Sequence, residues 1–324
     1  MAETANIAKI ADKLSNELFS EFFWERSGPA NTNWPCEDKD RHNSKTHPSD
    51  VVFFYDEPYT RTRTYINCDL KSYAQNSIKA HAVISAIESL SRAVACAEKS
   101  KTWRDLYIHP HVTPEICGLL FVYNHDGTYD KNFRSYLSAL RHEKFDLPRG
   151  SNLVVMGPAD IFWLDNVRLD VTLLRGSGRL PAREKCRFHY PHLVQRPNLR
   201  LQTSKAATLE MLTSPWIILE HDYDSAKHGF IIYYRHQGDE VGEFLYLIDY
   251  LKHYQLLKPA VKVLIKVLNP SAVAHPTFSK AIQQYSEECG EDTPISGLLK
   301  AIAFESMSKI VSTFSEVELG MQYA

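Results

Sequence analysis

The sequence predicts an α/β (α+β) fold with a mixed central sheet flanked by helices and a C-terminal α/β extension. Two runs rich in β-branched and aromatic residues, 51–56 and 62–71, flank a turn that contains Pro58 and predict a hairpin. Residues 75–98 have helical spacing, and an apolar strand begins near Cys117. A helix that joins two strands requires a crossover connection, so the sheet is mixed.

The other elements of the first half follow from spacing and from helix-breaking residues. Five apolar residues between positions 5 and 24 recur every three or four positions, which predicts a helix. They are Ile7, Ile10, Leu14, Leu18 and Phe22. Residues 26–49 contain Gly28 and three prolines among polar side chains, so we expect a long surface loop with room for one short strand. Residues 75–98 contain neither proline nor glycine and predict the longest helix of this half.

Beyond residue 130 the pattern continues without an internal repeat or a Gly/Ser linker. Strands are predicted at 151–164, 216–223, 228–236 and 260–268. Helices are predicted at 132–141, 241–257, 276–288 and 295–314. We therefore predict two packed domains, a core at residues 1–130 and an α/β extension at residues 131–324 for substrate or partner binding.

Composition excludes several classes of protein. The chain is 44% hydrophobic and 23% charged, which excludes whole-chain disorder, and its six cysteines form no C-x-x-C pair that would predict a zinc ribbon or a redox dithiol. They are expected to be free thiols in a reducing cytosol. Charged residues interrupt the N-terminus and the apolar stretch 244–268, so neither a secretion signal nor a membrane span is predicted. We expect a soluble, cytoplasmic protein.

Charge is distributed unevenly along the chain. Residues 168–205 contain nine basic and two acidic residues, a net +7, so the remainder of a chain with formal charge −2 carries −9. Cations release phosphate counterions and flat rings stack on bases, which makes this segment a candidate nucleic-acid surface. Arg179, Arg183 and Arg187 are the predicted contacts, and a solvated arginine-rich loop is the alternative.

The second strand of the hairpin separates polar from apolar side chains. Alternation places four polar side chains on one face, namely Tyr65, Asn67, Asp69 and Lys71. The other face carries Ile66, Cys68 and Leu70, and we expect the long helix to cover it. Charged residues that end a strand are costly for structure alone, so the polar face predicts a functional site.

The hairpin turn determines which residue lies opposite Asp69. A fold about the middle of residues 57–61 pairs positions whose numbers sum to about 119 or 120, which places Asp50 opposite or diagonal to Asp69. The two carboxylates and the backbone carbonyl of Leu70 are hard ligands of the kind that Mg²⁺ or Mn²⁺ takes. Lys71 can hold or deprotonate the attacking water and offset charge on a phosphate.

The order of these elements closely resembles the PD-(D/E)XK nuclease superfamily over about residues 5–125. An acidic helix precedes Pro48-Ser49-Asp50, and 19 residues further on Asp69-Leu70-Lys71 ends a strand that a long helix follows. The resemblance implies a restriction-endonuclease-like fold, with metal on Asp50 and Asp69 and the attacking water positioned by Lys71. The long polar stretch 26–49 departs from the family pattern, because the family's first strand should lie there.

The same resemblance implies two auxiliary groups. A glutamate of the first helix often reaches the metal through water; Glu17 and Glu21 are the candidates, and Glu17 is preferred because it lies deeper in the helix. A polar residue early in the helix after Lys71 often assists. Ser72, Gln75 and Ser77 are the candidates for that position.

The resemblance favours a metal-dependent endonuclease acting on DNA, with RNA the less favoured substrate. Nucleases with an unfamiliar α/β extension are often effectors of bacterial anti-phage or restriction systems, and these commonly work with a second encoded subunit. A second protein subunit or a homo-oligomer is therefore the expected assembly. One alternative is a non-catalytic nucleic-acid-binding or assembly subunit of a defence complex. Another is a metal-dependent phosphodiesterase acting on a nucleotide, which the absence of a nucleotide-binding motif disfavours.

Two groups of residues that contain a cysteine are candidates for further sites. Cys36, His42 and His47 could hold zinc with Asp40 as a fourth ligand, but the spacing matches no standard zinc knuckle, so this interpretation is disfavoured. Alternation directs Cys68 away from Asp69, so we expect a buried and inert thiol.

Overall fold

The computed structural model of the chain describes residues 2–138, 140, 145, 147–191, 204–224, 227–290 and 294–309. Its described residues divide into two units, the first from Ala2 to Leu164 and the second from Asp165 to Lys309. The division falls later than the predicted boundary at residue 130. The reason is that residues 153–156 form a strand of the first unit's sheet.

The first unit contains five helices and seven strands among its described residues. The helices are α1 (Ala2–Glu21), α2 (Lys39–His42), α3 (Ala80–Ala97), α4 (Lys101–Tyr107) and α5 (Arg134–Ser138). The strands are β1 (Glu25–Ser27), β2 (Thr32–Pro35), β3 (Thr46–Ser49), β4 (Val51–Asp56), β5 (Thr62–Tyr73), β6 (Thr113–Asn124) and β7 (Leu153–Met156). The predicted hairpin is confirmed as β4 and β5, and the predicted long helix begins later, at Ala80.

Five of these strands form the central sheet, in the order β1-β4-β5-β6-β7. β4 is antiparallel to both of its neighbours, β1 and β5. β5, β6 and β7 run parallel to one another. The parallel connection from β5 to β6 passes through α3 and α4, as a crossover requires. The mixed sheet flanked by helices confirms the predicted fold class.

The two faces of the sheet are covered by different helices. Phe19 of α1 packs against Phe53 and Phe121, with ring centroids 5.2 and 5.9 Å apart. Phe53 pairs with Ile66, so α1 covers the face that carries Ile66, Cys68 and Leu70. α3 instead packs on the face of Tyr65 and Asp69. The expectation that the long helix covers the apolar face of β5 was therefore wrong, because α1 already occupies it.

Residues 26–49 are not the long surface loop that their prolines indicate. β2 and β3 pair antiparallel as a separate two-stranded sheet, which buries Trp34 completely. Ser49 at the end of β3 accepts hydrogen bonds from the indole N–H groups of Trp34 (3.0 Å) and Trp103 (3.2 Å). Burial of the Trp34 side chain thus accompanies a regular hairpin in residues 26–49, a segment that composition alone classifies as irregular.

The second unit has its own mixed sheet, in the order β12-β11-β10-β9-β8. Its strands are β8 (Cys186–Phe188), β9 (Trp216–Asp224), β10 (Lys227–Tyr234), β11 (Lys262–Leu268) and β12 (Ala303–Met307). Its helices are α6 (Pro158–Gly176), which begins in the first unit, α7 (Leu209–Thr213), α8 (Val241–His253), α9 (Ala274–Cys289) and α10 (Pro294–Lys300). Its core includes Phe244, Leu247, Ile265 and Phe278.

Two predicted elements in this half were wrong. The strand predicted at 151–164 ends at Met156, because Pro158 fits the first turn of an α-helix, where its missing N–H costs nothing. The helix predicted at 295–314 ends at Lys300, and Ala303–Met307 form an edge strand beside β11.

A buried ion pair links the sheet of the second unit to α6. Lys266 of β11 and Asp170 of α6 are each 4% exposed, and their Nζ and Oδ1 atoms are 2.7 Å apart. The hydroxyl of Tyr233 donates to the other carboxylate oxygen at 2.9 Å.

None of the described helices combines the length and the apolar character that a bilayer span requires.

Candidate active site

Asp50 and Asp69 meet at the end of the β4–β5 hairpin. The register pairs Val51 with Cys68 and Val52 with Asn67, so paired numbers sum to 119 and the next position pairs Asp50 with Asp69. Cross-strand partners share a face, and alternation from Tyr65 places both carboxylates on the side covered by α3. The hairpin geometry expected from the sequence is therefore confirmed.

Backbone contacts hold Asp50 in place. Its carboxylate accepts the N–H of Leu70 at 2.7 Å, and its carbonyl accepts the N–H of Asn31 at 2.8 Å. The preceding residue, Ser49, is held by two buried indoles. The carboxylate is consequently positioned by the chain on both sides of it.

The carboxylates and Lys71 form one electrostatic group. Burial raises the pKa of Asp50, and the charge of Asp69 raises it further, against the opposing effects of the Leu70 N–H and of Lys71. Lys71 Nζ lies 2.5 Å from Asp69 Oδ1. Burial acts to lower the pKa of Lys71, but the two carboxylates outweigh it and the net shift is upward. Lys71 is therefore an ammonium group here.

The donor set fits a divalent cation. The negative charge of Asp69 raises the pKa of Asp50, so a cation bound between the two carboxylates would relieve their mutual repulsion. In a strand the N–H and C=O of one residue point to the same side, so the Leu70 carbonyl points toward Asp50 together with its N–H. Two carboxylates and a carbonyl are the oxygen ligands that Mg²⁺ and Mn²⁺ take.

A narrow cleft gives access to these groups. Pro48, Asp50 and Asp69 line it on the sheet side, and Ser89 and Ala93 of α3 line the opposite wall. Ser89 is exposed and close to the carboxylates, a position that no sequence motif indicates. Cys68 also borders the cleft, but it is 1% exposed and burial raises its pKa well above the usual range, as expected for an inert thiol.

The auxiliary groups lie elsewhere in the domain. Glu17 pairs with Lys13 at 3.9 Å on α1, which packs on the opposite face of the sheet from Asp69, so its role at the metal stays a prediction. Ser72 and Gln75 precede α3, contrary to their expected place in the helix. The Ser72 hydroxyl hydrogen-bonds to His125, and the Gln75 backbone N–H donates to Asp126.

The arginines predicted to bind nucleic acid belong to the second unit. Arg187 forms an ion pair with Glu220, and Arg179 pairs with Glu305 at 2.7 Å. Arg183 lies in a 3₁₀ turn, Arg183–Lys185. Carboxylates distant in the sequence thus neutralise part of the +7 charge, which a count along the segment could not reveal.

Other members of the basic segment also have partners. Arg168 pairs with Asp165 at 2.7 Å within α6, and Lys205 Nζ donates to a backbone carbonyl at 3.0 Å. Arg196 and Arg200 lie outside the described residues.

The comparisons with known proteins address the first unit. Residues 1–160, just under half of the 324-residue chain, match a family model described as the GAPS4 protein PD-(D/E)XK nuclease domain. A search of curated proteins returned no match. The matched range contains the whole central sheet, including β7, together with the carboxylate pair and Lys71. The match therefore supports a PD-(D/E)XK nuclease domain, similar to that of GAPS4 proteins, in residues 1–160.

Proposed function

We propose that the protein is a metal-dependent endonuclease that hydrolyses phosphodiester bonds of DNA, with Asp50, Asp69 and Lys71 as its catalytic residues. The observation that carries the proposal is the meeting of two carboxylates and an ammonium group at the end of one hairpin of a nuclease domain. Placing two carboxylates and an ammonium group in a partly buried position costs folding free energy unless they bind a cation and an anion.

In this proposal each residue has a distinct role. Asp50, Asp69 and the Leu70 carbonyl hold Mg²⁺ or Mn²⁺, which supplies a Lewis acid for the phosphate and lowers the pKa of the attacking water. Lys71, as an ammonium group, holds that water or a phosphate oxygen and offsets the negative charge that develops during hydrolysis. The Leu70 N–H fixes the orientation of Asp50.

We further propose that the protein acts in the bacterial cytoplasm as an effector of anti-phage defence or restriction. The GAPS4 family is defence-associated, and the five cysteines whose side chains the structure describes are all buried and form no disulfide. An effector of this kind is expected to work with a second subunit or as a homo-oligomer. The preference for DNA over RNA rests on the usual substrate of the superfamily.

Cleavage assays on plasmid DNA and on RNA, with Mg²⁺, with Mn²⁺ or with chelator, test the proposal. Asp69→Ala and Lys71→Ala should each lower the rate by orders of magnitude, because losing a ligand or the ammonium group costs several kcal/mol of transition-state stabilisation. Asp56→Ala is the matched control, since Asp56 is an exposed carboxylate at the other end of β4. If the wild-type protein cleaves neither substrate with either metal, the non-catalytic binding subunit is the better account.

The DNA path is tested with the basic segment. Replacing Arg179, Arg183 and Arg187 together by Gln should weaken binding in low salt and flatten its salt dependence by about one unit per lost phosphate contact. Cleavage at saturating DNA should stay close to normal. If the affinity for DNA and its salt dependence are both unchanged, these arginines do not contact DNA, and their ion pairs within the protein are their role.

A further inference from the structure

We propose that the nuclease domain contains a structural zinc site formed by Cys36, His42, His47 and Cys96. The ligand atoms of the four side chains all lie within 4.8 Å of one another, and all four residues are buried. Two thiolates and two imidazoles are the ligands of many structural zinc sites. The site is separate from the carboxylate pair and uses none of its residues.

The distances between the ligand atoms match tetrahedral coordination. The Cys36 and Cys96 sulfurs are 3.7 Å apart, and His42 Nδ1 lies 3.4 and 3.3 Å from them. Zinc bonds of about 2.3 Å to sulfur and 2.0–2.1 Å to nitrogen place tetrahedral ligands roughly 3.8 Å (S to S) and 3.6 Å (S to N) apart. A disulfide would require sulfurs about 2.05 Å apart. The two thiols are therefore in contact without being bonded.

His47 supplies an independent observation. Its Nε2 atom is buried, and no hydrogen-bond partner for it exists in the described part of the chain. A buried polar atom without a partner costs about 1–3 kcal/mol. The side chain is 3% exposed, with its ring 5.1 Å from that of Trp34 and 5.5 Å from that of His42. A cation among the four side chains would give this nitrogen its missing partner.

Asp40, the fourth ligand that the sequence offers, is not part of the site. Cys96, near the end of α3, takes the fourth position and lies 49 residues beyond His47 along the chain. The other three residues come from β3, from α2 and from the position directly after β2. A zinc ion here would fasten the β2–β3 hairpin to α3.

Two of the proposed zinc ligands, His47 and Cys96, belong to the same two elements that border the catalytic cleft. β3 ends at Ser49, immediately before Asp50, and Ser89 and Ala93 of α3 form the opposite wall of the cleft. The proposed zinc joins the strand before Asp50 to the helix that faces it. The ion would therefore set the width of the cleft without touching substrate.

Metal analysis of the full-length protein, purified without chelator, tests the proposal. We expect one zinc per chain in the wild type and close to none in Cys36→Ser or Cys96→Ser. Cys117→Ser is the matched control, a buried cysteine of the same unit outside the cluster, and should keep its zinc. Asp69→Asn should keep it too, which separates this site from the carboxylate pair.

Two further measurements give readouts besides metal content. Exchange into Co²⁺ should produce the visible bands of a tetrahedral ion and a sulfur-to-metal charge-transfer band that weakens in Cys96→Ser. A strong chelator should lower the melting temperature of the wild type but not that of Cys96→Ser. Wild-type protein without bound zinc, zinc retained by both cysteine variants, or a Cys36–Cys96 disulfide found by mass spectrometry after alkylation would overturn the proposal.

Discussion

Replacing Asp50 with asparagine should make the metal-free protein more stable and the nuclease inactive. Burial and the charge of Asp69 raise the pKa of Asp50, so folding free energy is lost as the pH rises from the pKa of the unfolded state through the higher pKa of the folded state. Asparagine resembles the protonated side chain. It keeps an oxygen that can accept the Leu70 N–H.

The size of the effect follows from the charges. The scale of carboxylate repulsion is about 4 kcal/mol for two full charges about 4 Å apart at an effective dielectric constant of 20. Lys71, 2.5 Å from Asp69, and the Leu70 N–H offset most of this repulsion. We expect a net gain of about 1 kcal/mol, or roughly 2–4 °C in melting temperature for a unit of this size.

Added metal should reverse the order of stability. Mg²⁺ at about 100 times its dissociation constant stabilises the wild type by about 2.7 kcal/mol, whereas Asp50→Asn, having lost a ligand, gains far less. Thermal melts with and without Mg²⁺, paired with plasmid cleavage, measure both effects, and Asp56→Asn is the control. An Asp50→Asn protein that cleaves DNA, or whose melting temperature rises with Mg²⁺ as much as the wild type's, would refute the reasoning.

Two other predictions concern separate parts of the chain. If Glu17 holds a metal-bound water, Glu17→Gln should raise the Mg²⁺ needed for half-maximal cleavage by roughly 10- to 100-fold, while Glu21→Gln leaves it unchanged; impairment by Glu21→Gln alone would reverse the choice. In the second unit, Asp170→Asn should cost about 3–5 kcal/mol in urea unfolding, because it leaves the buried Lys266 ammonium with only the more distant Glu305 carboxylate, 3.9 Å away, as a counter-charge. Replacing Asp170 by leucine and Lys266 by methionine together should recover most of that loss. If Asp170→Asn costs less than about 1 kcal/mol, the ion pair contributes little to the free energy of unfolding and the prediction is wrong.

The hairpin and its carboxylates could be predicted from the sequence because their information is local. Alternation along β5 and the length of the turn determine the register, and the register determines that Asp50 meets Asp69. The covering helix could not be assigned in this way, since both faces of β5 carry residues that a helix can bury. The packing of Phe19 on Phe53 shows that α1 covers the face of β5 that carries Ile66.

The elements that were missed depend on contacts distant in sequence. Prolines around Trp34 indicate a loop, yet burial of one indole against Ser49 and Trp103 makes a hairpin stable there. The proximity of Cys96 to His47 is a tertiary contact that no spacing rule anticipates. Likewise, Glu305 neutralises Arg179 although 126 residues separate them.

The late boundary of the nuclease domain has a consequence for how the chain can be shortened. β7 covers one edge of β6, whose residues 116–122 read Ile-Cys-Gly-Leu-Leu-Phe-Val and are almost all apolar. A chain cut at residue 130 would lose β7 and present that edge, with unpaired N–H and C=O groups, to other molecules. Uncharged, proline-free edges of this kind pair between chains and seed aggregation. A truncated nuclease domain should therefore retain at least residues 153–156 to remain dispersed in solution.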